Sequence, residues 1–344
     1  RLKNIANTHV IKLGDEILAL WEAASPHSLD PKTLKTKGIS NIQGALKKGE
    51  AFSAHPRFDP GHYRENRMVT FGVKTGPQST IRLMEFSTEG KNAGKLIADR
   101  SDKFDGFAFL HDFAITPNWA IFLQNALSFN PIPFLLGQKG AAQCLKSKPN
   151  AKGKFLLVPR ANGIYSNQNP KIIAAPVGFV FHHLNAYEKD QNIVLESIYY
   201  KDFPSIKPGE DFRKINFDNL PEGQLNRCEI NVKENTTYIK NLSEQCCEFA
   251  MVNPKRQGLK AKYCWMAVAD KPKGNGPLQA IKKLDLCSGK EISWSTAPKG
   301  FVNEPLFIPK QNSSIEDEGS VIVLVWNSIR KSTELVILNA VNLE

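Results

Sequence analysis

The chain has no apolar run approaching the roughly 18 residues that a membrane-spanning helix needs, so a transmembrane helix is not expected. Its six cysteines, Cys144, Cys228, Cys246, Cys247, Cys264 and Cys287, show no Cys-x-x-Cys spacing and no dense framework. That argues against a zinc or redox motif and a disulfide scaffold, and for buried free thiols in a reducing cytosol. Adjacent Cys246 and Cys247 read as one inward and one outward strand residue rather than a metal pair. No secretory leader is visible. Long stretches with helical periodicity are scarce, which disfavours a helical fold. A net charge of +11 raises the possibility of nucleic acid. The basic residues are scattered, as in Lys47-Lys48 and Lys282-Lys283, and no nucleic-acid motif accompanies them, so no nucleic-acid partner is expected. A positively biased solvated surface, or attraction to an anionic membrane surface, accounts for the charge.

What the sequence does contain is many short apolar or alternating runs rich in β-branched and aromatic residues. They include Glu16–Trp21, Met68–Val73, Thr80–Phe86, Trp119–Leu123, Lys154–Val158, Ile193–Tyr200, Tyr263–Val268, Ser320–Trp326 and Glu334–Leu338. Gly, Pro, Asn or Asp punctuate them. The pattern predicts an all-β fold: a sandwich, a barrel or a propeller. Strand–Asp–turn units such as Leu29-Asp30-Pro31 and Leu284-Asp285-Leu286 recur without a strict period, so any repeats are divergent. Hydrophobic content of 41% is ordinary for a soluble globular protein.

Histidine is also scarce, with seven in all. Three of them, His55, His111 and His182, sit in apolar contexts at the tips of strand-like segments. Neutral imidazole is the commonest protein metal ligand, and separate strands can bring three rings to one ion. Satisfied core or turn residues are the alternative reading.

The words around these histidines resemble a known family. Phe109-Leu110-His111-Asp112-Phe113-Ala114-Ile115-Thr116-Pro117-Asn118-Trp119-Ala120-Ile121-Phe122 is similar to the signature of the carotenoid cleavage oxygenases. Ala54-His55-Pro56-Arg57-Phe58-Asp59-Pro60 and Phe181-His182-His183-Leu184-Asn185-Ala186-Tyr187-Glu188 resemble further blocks of that family. So do Leu20-Trp21-Glu22-Ala23, Cys247-Glu248-Phe249 and Asn303-Glu304-Pro305, all in family order. The resemblance runs from about residue 5 to the end and is nearest the cyanobacterial apocarotenoid branch.

This resemblance implies a seven-bladed β-propeller with a loop or helix cap and a non-haem Fe(II) on its axis. It implies oxidative cleavage of a carotenoid C=C bond by O2 to carbonyl products. His55, His111 and His182 match three of four iron ligands. Glu22, Glu248 and Glu304 match the carboxylates that hold imidazoles from behind, Glu22 on His111, Glu248 on His182 and Glu304 on the fourth histidine. Thr8 matches a catalytic position near the open face of the iron. Of the neighbours His182 and His183, the alternation of strand faces lets only one face the axis, and the resemblance selects His182. Phe109, Phe113, Trp119 and Phe181 are candidates for an apolar substrate tunnel.

The segment Asn125–Gly140 breaks the strand pattern. Phe129, Ile132, Phe134, Leu135 and Leu136 are interrupted by Pro131 and Pro133 and rimmed by Lys139 and Lys146. This fits a membrane-facing or tunnel-mouth patch, and equally a loop packed under its neighbours. The expected protein is a single propeller domain over residues 1–344, cytoplasmic and peripherally membrane-associated. Its expected partners are O2 and an apolar polyene. Against the family pattern the chain begins inside a blade and stops before the fourth ligand, so it reads as a fragment that folds and binds iron poorly. A stilbene-type olefin substrate, or a catalytically silent propeller that binds a lipid or protein, are the competing readings.

Overall fold

A computed structural model describes residues 3–61, 65–148, 150–205, 211 and 214–344. Every run predicted as a strand is one, and the chain is all-β. Among the described residues six four-stranded sheets, the blade unit of a propeller, follow one another along the sequence. The first holds His9–Leu13, Glu16–Leu20, His27–Leu29 and Thr36–Ile39, and the second Arg57–Asp59, Arg67–Lys74, Gln78–Ser87 and Leu96–Asp105. The third holds Ala114–Ile115, Trp119–Gln124, Lys152–Pro159 and Lys171–Val177. The fourth runs from Phe179–Lys189 through Asn192–Tyr200 and Gln224–Asn231 to Thr236–Ser243. The fifth holds Cys247–Val252, Tyr263–Ala269, Leu278–Asp285 and Glu291–Ser295. In the sixth, Gly319–Asn327 pairs with Ser332–Asn339 on one side and with Gly300–Val302 and Leu306–Pro309 on the other.

Local chemistry sets the turns. Gly14 takes a φ of +57° in the two-residue link from Leu13 to Glu16, a conformation that suits glycine. The strand–Asp–turn units share one device. Asp30, Asn231, Asp285 and Asn327 each accept backbone N–H groups two and three residues ahead through Oδ1. The repeat is therefore one of turn chemistry, with Asx residues at corresponding hairpins, rather than of a fixed spacing.

The chain divides into two compact units, residues 1–124 with 156–171, and residues 125–155 with 172–344. In the first, one core gathers Phe71, Phe104, Phe113, Phe122 and Leu156, and another gathers Leu18, Leu20, Phe52, Met68 and Phe86. Phe113 stacks on Phe122 with centroids 5.3 Å apart, and Trp119 stacks on Tyr165 at 5.0 Å. Phe113 and Trp119 are thus closed core residues, which corrects the expectation that they line a tunnel. In the second unit Trp265 stacks on Phe307 at 4.2 Å and donates to the Ala340 carbonyl at 3.1 Å. Cys246 and Cys247 are both buried, because the strand begins at Cys247 and the residue before it is already covered; the inward-outward expectation fails there. Cys287 is the exposed thiol.

Asn125–Gly140 resolves into the strand Leu127–Phe129, which pairs with Leu145–Ser147, and the short α-helix Pro131–Leu135. Asn130 caps that helix, accepting from the Ile132 N–H at 3.2 Å. It is the one α-helix among the described residues, and no helix is long and apolar enough to cross a membrane.

A buried charge network fixes the first unit. Arg160, fully buried, meets Asp59 Oδ2 at 2.8 Å and both oxygens of Glu85 at 3.1 Å, and donates to the Thr116 carbonyl at 2.8 Å. Arg67 reaches Glu85 at 3.1 Å. Removing one member of such a network strands the others without a counter-charge in a low-dielectric interior. Arg160→Met is therefore expected to lower the unfolding free energy by about 3–5 kcal/mol. Denaturant titration checks this, and a loss under about 1 kcal/mol would show that the network is solvated.

Candidate functional site

His55 and His111 lie in loops rather than at strand tips, each just ahead of a short strand, Arg57–Asp59 and Ala114–Ile115. Their Nε2 atoms are 3.1 Å apart. Two ligands about 2.1 Å from one ion at right angles stand about 3 Å apart, so the spacing fits a pair sharing a metal. The Nδ1 of His111 meets Glu22 Oε2 at 3.0 Å, as the motif match expected. Glu22 lies in the turn two residues after the strand Glu16–Leu20, and it is partly buried. A carboxylate on Nδ1 fixes the tautomer and leaves Nε2 as the donor to a metal.

The loops are braced. Arg57 Nη2 pairs with Asp112 Oδ2 at 2.6 Å, and its Nε donates to the Phe113 carbonyl at 2.8 Å. Asp112 Oδ1 accepts from the Phe113 N–H at 2.8 Å. Nearby, His9 Nδ1 contacts the Ala54 carbonyl at 3.1 Å, and its ring centroid is 6.1 Å from that of His55.

The second unit holds a carboxylate–imidazole pair of its own. His182 Nδ1 meets Glu248 Oε2 at 2.7 Å. The other oxygen of Glu248 accepts from the Tyr200 hydroxyl, and Oε2 also accepts from the Phe249 N–H at 3.0 Å. Burial, and next the charge of Glu248, push the Tyr200 phenol far above its ordinary range, so it stays a neutral donor. Phe249 carries a φ of +55° at a register shift between Glu248 and Met251. Such a conformation costs about 1–3 kcal/mol in a bulky residue and clusters at functional sites. Its ring lies 5.4 Å from His182. Phe179, Phe181, Tyr200 and Phe203 pack edge to face or tilted and give this half an apolar wall.

His183 differs from its neighbour. It is buried, with Nδ1 2.7 Å from Ser197 Oγ inside its own sheet. Strict alternation is not the reason the two diverge. The register shifts twice, between Val180 and His183 and between His183 and Asn185. Bulges of this kind re-aim side chains.

Among the described residues the candidate metal ligands are His55 and His111 in one unit and His182 in the other. Glu304 and Thr8 are solvent exposed. The Glu304 N–H is bonded to Asn303 Oδ1, and the Thr8 N–H to the Leu20 carbonyl. Ile132, Leu135 and Leu136 are exposed, while Phe129 and Phe134 are half-buried against each other. Sequence reading missed Arg57, Asp112, Tyr200 and Phe249 as parts of the site. The first two sit inside the quoted histidine motifs. Nothing in the sequence ties Tyr200 to Glu248.

The family model described as retinal pigment epithelial membrane protein matches residues 1–344. The chain is 43% identical to the apocarotenoid-15,15'-oxygenase of Synechocystis sp. over 99% of its length and 68% of that protein's. It is 27% identical to lignostilbene-α,β-dioxygenase isozyme III of Sphingomonas paucimobilis, across 100% of the chain and 70% of the relative. With the carotenoid 9,10(9',10')-cleavage dioxygenase of Crocus sativus the identity is 26%, over 97% of the chain and 61% of the relative. The crystal structure of cobalt-substituted Synechocystis ACO matches 100% of this chain and 70% of its own, with a TM-score of 0.95 and 42% identity. The chain belongs to the retinal pigment epithelial membrane protein family, the carotenoid cleavage oxygenases, which are oxidoreductases.

Proposed function

We propose that the chain is an apocarotenoid oxygenase, which uses O2 to cleave one C=C bond of a conjugated polyene into two carbonyl products. We further propose that His55, His111 and His182 are imidazole ligands of its ferrous ion. The observation that carries this reading is the repeated carboxylate–imidazole contact, Glu22 on His111 and Glu248 on His182. Core or turn histidines need no carboxylate on Nδ1 with Nε2 left for a metal. The charge of a divalent ion held by neutral rings calls for carboxylates just behind them. Ferrous iron supplies the O2 chemistry when bound. The protein's own groups orient the rings, and the aromatic wall at His182 excludes water and suits an apolar substrate. Thr8 is assigned by motif alone to the open face. Glu304 is likewise assigned by motif alone to the role of Glu22 and Glu248 toward a further imidazole.

A seventh blade also belongs to this reading. The outer face of the sixth sheet presents Phe301, Leu306, Leu324, Trp326, Leu335 and Ile337, all exposed. Cross-strand neighbours among them, such as Leu324 with Leu335 and Phe301 with Trp326, make the apolar face continuous. Exposed patches of this kind mark an interface, and a further sheet of the same fold is the occupant that completes one propeller domain. Peripheral attachment to an anionic membrane through the tip of the helix Pro131–Leu135 fits its exposed Ile132, Leu135 and Leu136 beside Lys139.

Three results are expected. His182→Ala loses iron, measured as metal per folded protein, while His183→Ala keeps it; the reverse pattern would move the ligand to His183. Apocarotenals are consumed with O2 and a stilbene substrate is not; the opposite preference would favour the lignostilbene-type reading. On vesicles of anionic lipid, the double substitution Leu135→Glu and Leu136→Glu weakens binding at least tenfold, since each buried leucine contributes about 1.5–3 kcal/mol. Unchanged sedimentation with the vesicles would remove this patch from the membrane contact.

A further inference from the structure

We infer that Arg57 and Asp112 are positioning residues for the metal: a buried ion pair that sets the His55 loop against the His111 loop. The inference rests on the metal reading above. Neither His55 nor His111 lies in a paired strand, so no sheet register places its ring. Arg57 is two residues beyond His55, and Asp112 directly follows His111. The guanidinium grips the other loop at two points, the Asp112 carboxylate at 2.6 Å and the Phe113 carbonyl at 2.8 Å. Two points fix direction as well as distance, which a single ammonium cannot do. The turn is closed on the other side by the Phe113 N–H on Asp112 Oδ1 at 2.8 Å.

Stability alone is a poor reason for this pair. Asp112 is almost wholly buried and Arg57 mostly so. Replacing a buried ion pair by packed apolar groups is often neutral or stabilising. What an apolar pair cannot supply is direction, and metal ligands must be held to within about 0.5 Å of their working places. With the clamp in place the two Nε2 atoms stand 3.1 Å apart and Glu22 sets the ring of His111.

Cobalt(II) titration of the whole chain, with a chromophoric chelator as competitor, tests the assignment. Arg57→Lys keeps the charge and loses the fork. Asp112→Asn is nearly isosteric and keeps the acceptor for Phe113. Each is expected to raise the cobalt dissociation constant about 10–100-fold, the range found when a ligand's support is removed. The visible spectrum of the bound cobalt is expected to change as well. The double variant is expected to be no worse than the weaker single, because both remove one device. Binding and spectrum that match wild type in both variants, even with a lowered melting temperature, would overturn the clamp, as would additive losses. Should Arg57→Lys fail to fold, Asp112→Asn decides by the same criteria. His55→Ala and His182→Ala test the metal reading separately. Cobalt binding that survives both, or wild-type protein that takes up none, overturns that reading and the clamp with it.

Discussion

An imidazole has two nitrogens, and it serves a metal well only when the one turned away is held by a hydrogen-bond acceptor. Two carboxylate–imidazole pairs in this structure meet that constraint inside an apolar protein. Glu22 does so for His111, and Glu248 does so for His182. Each carboxylate brings a charge into a region that disfavours charge, and each must be placed by groups that would not otherwise be there. Around Glu248 these are the Tyr200 hydroxyl and the N–H of Phe249. The strained backbone at Phe249 fits the same account, since it turns that N–H onto the carboxylate.

The sheets supply the rigidity that the loops lack. Some strands, such as Trp119–Gln124, are buried along their whole length, and others, such as Leu96–Asp105, alternate half-buried with exposed residues at the edge of their sheet. Polar connectors finish what apolar packing leaves open. Asn125 gives and takes hydrogen bonds with the backbone of Val180, as a strand neighbour would. Asn185, fully buried, accepts from Gly258 and Gln257 and donates to the Leu259 carbonyl. The Arg160 network does the same for the first unit with charges. Such connectors specify one arrangement because each is satisfied only there.

Irregularity is concentrated where function is proposed. The register shifts beside His182 and Glu248 interrupt strands that are otherwise regular, and His55 and His111 stand outside the strand pairing altogether. A strictly alternating strand offers a side chain two directions. A bulge or a braced loop offers others, which a convergent ligand set requires.

The sequence by itself determined the all-β class and the places of the principal strands, and its motif words proposed the histidines, their carboxylates and His182 over its neighbour. These rest on local signals: period-two apolar runs, turn residues, and motif words in which the chemistry-bearing residue is fixed by its neighbours in the chain. The tertiary structure alone decided that Phe113 and Trp119 close a core, that Cys246 is buried beside Cys247, and that Arg57 reaches Asp112 and Tyr200 reaches Glu248. Those facts depend on which strand lies beside which, on bulges that shift a face by one residue, and on contacts between residues about 50 positions apart. No local pattern encodes them, because the hydrogen bond that links two distant side chains leaves no mark on the residues beside either one.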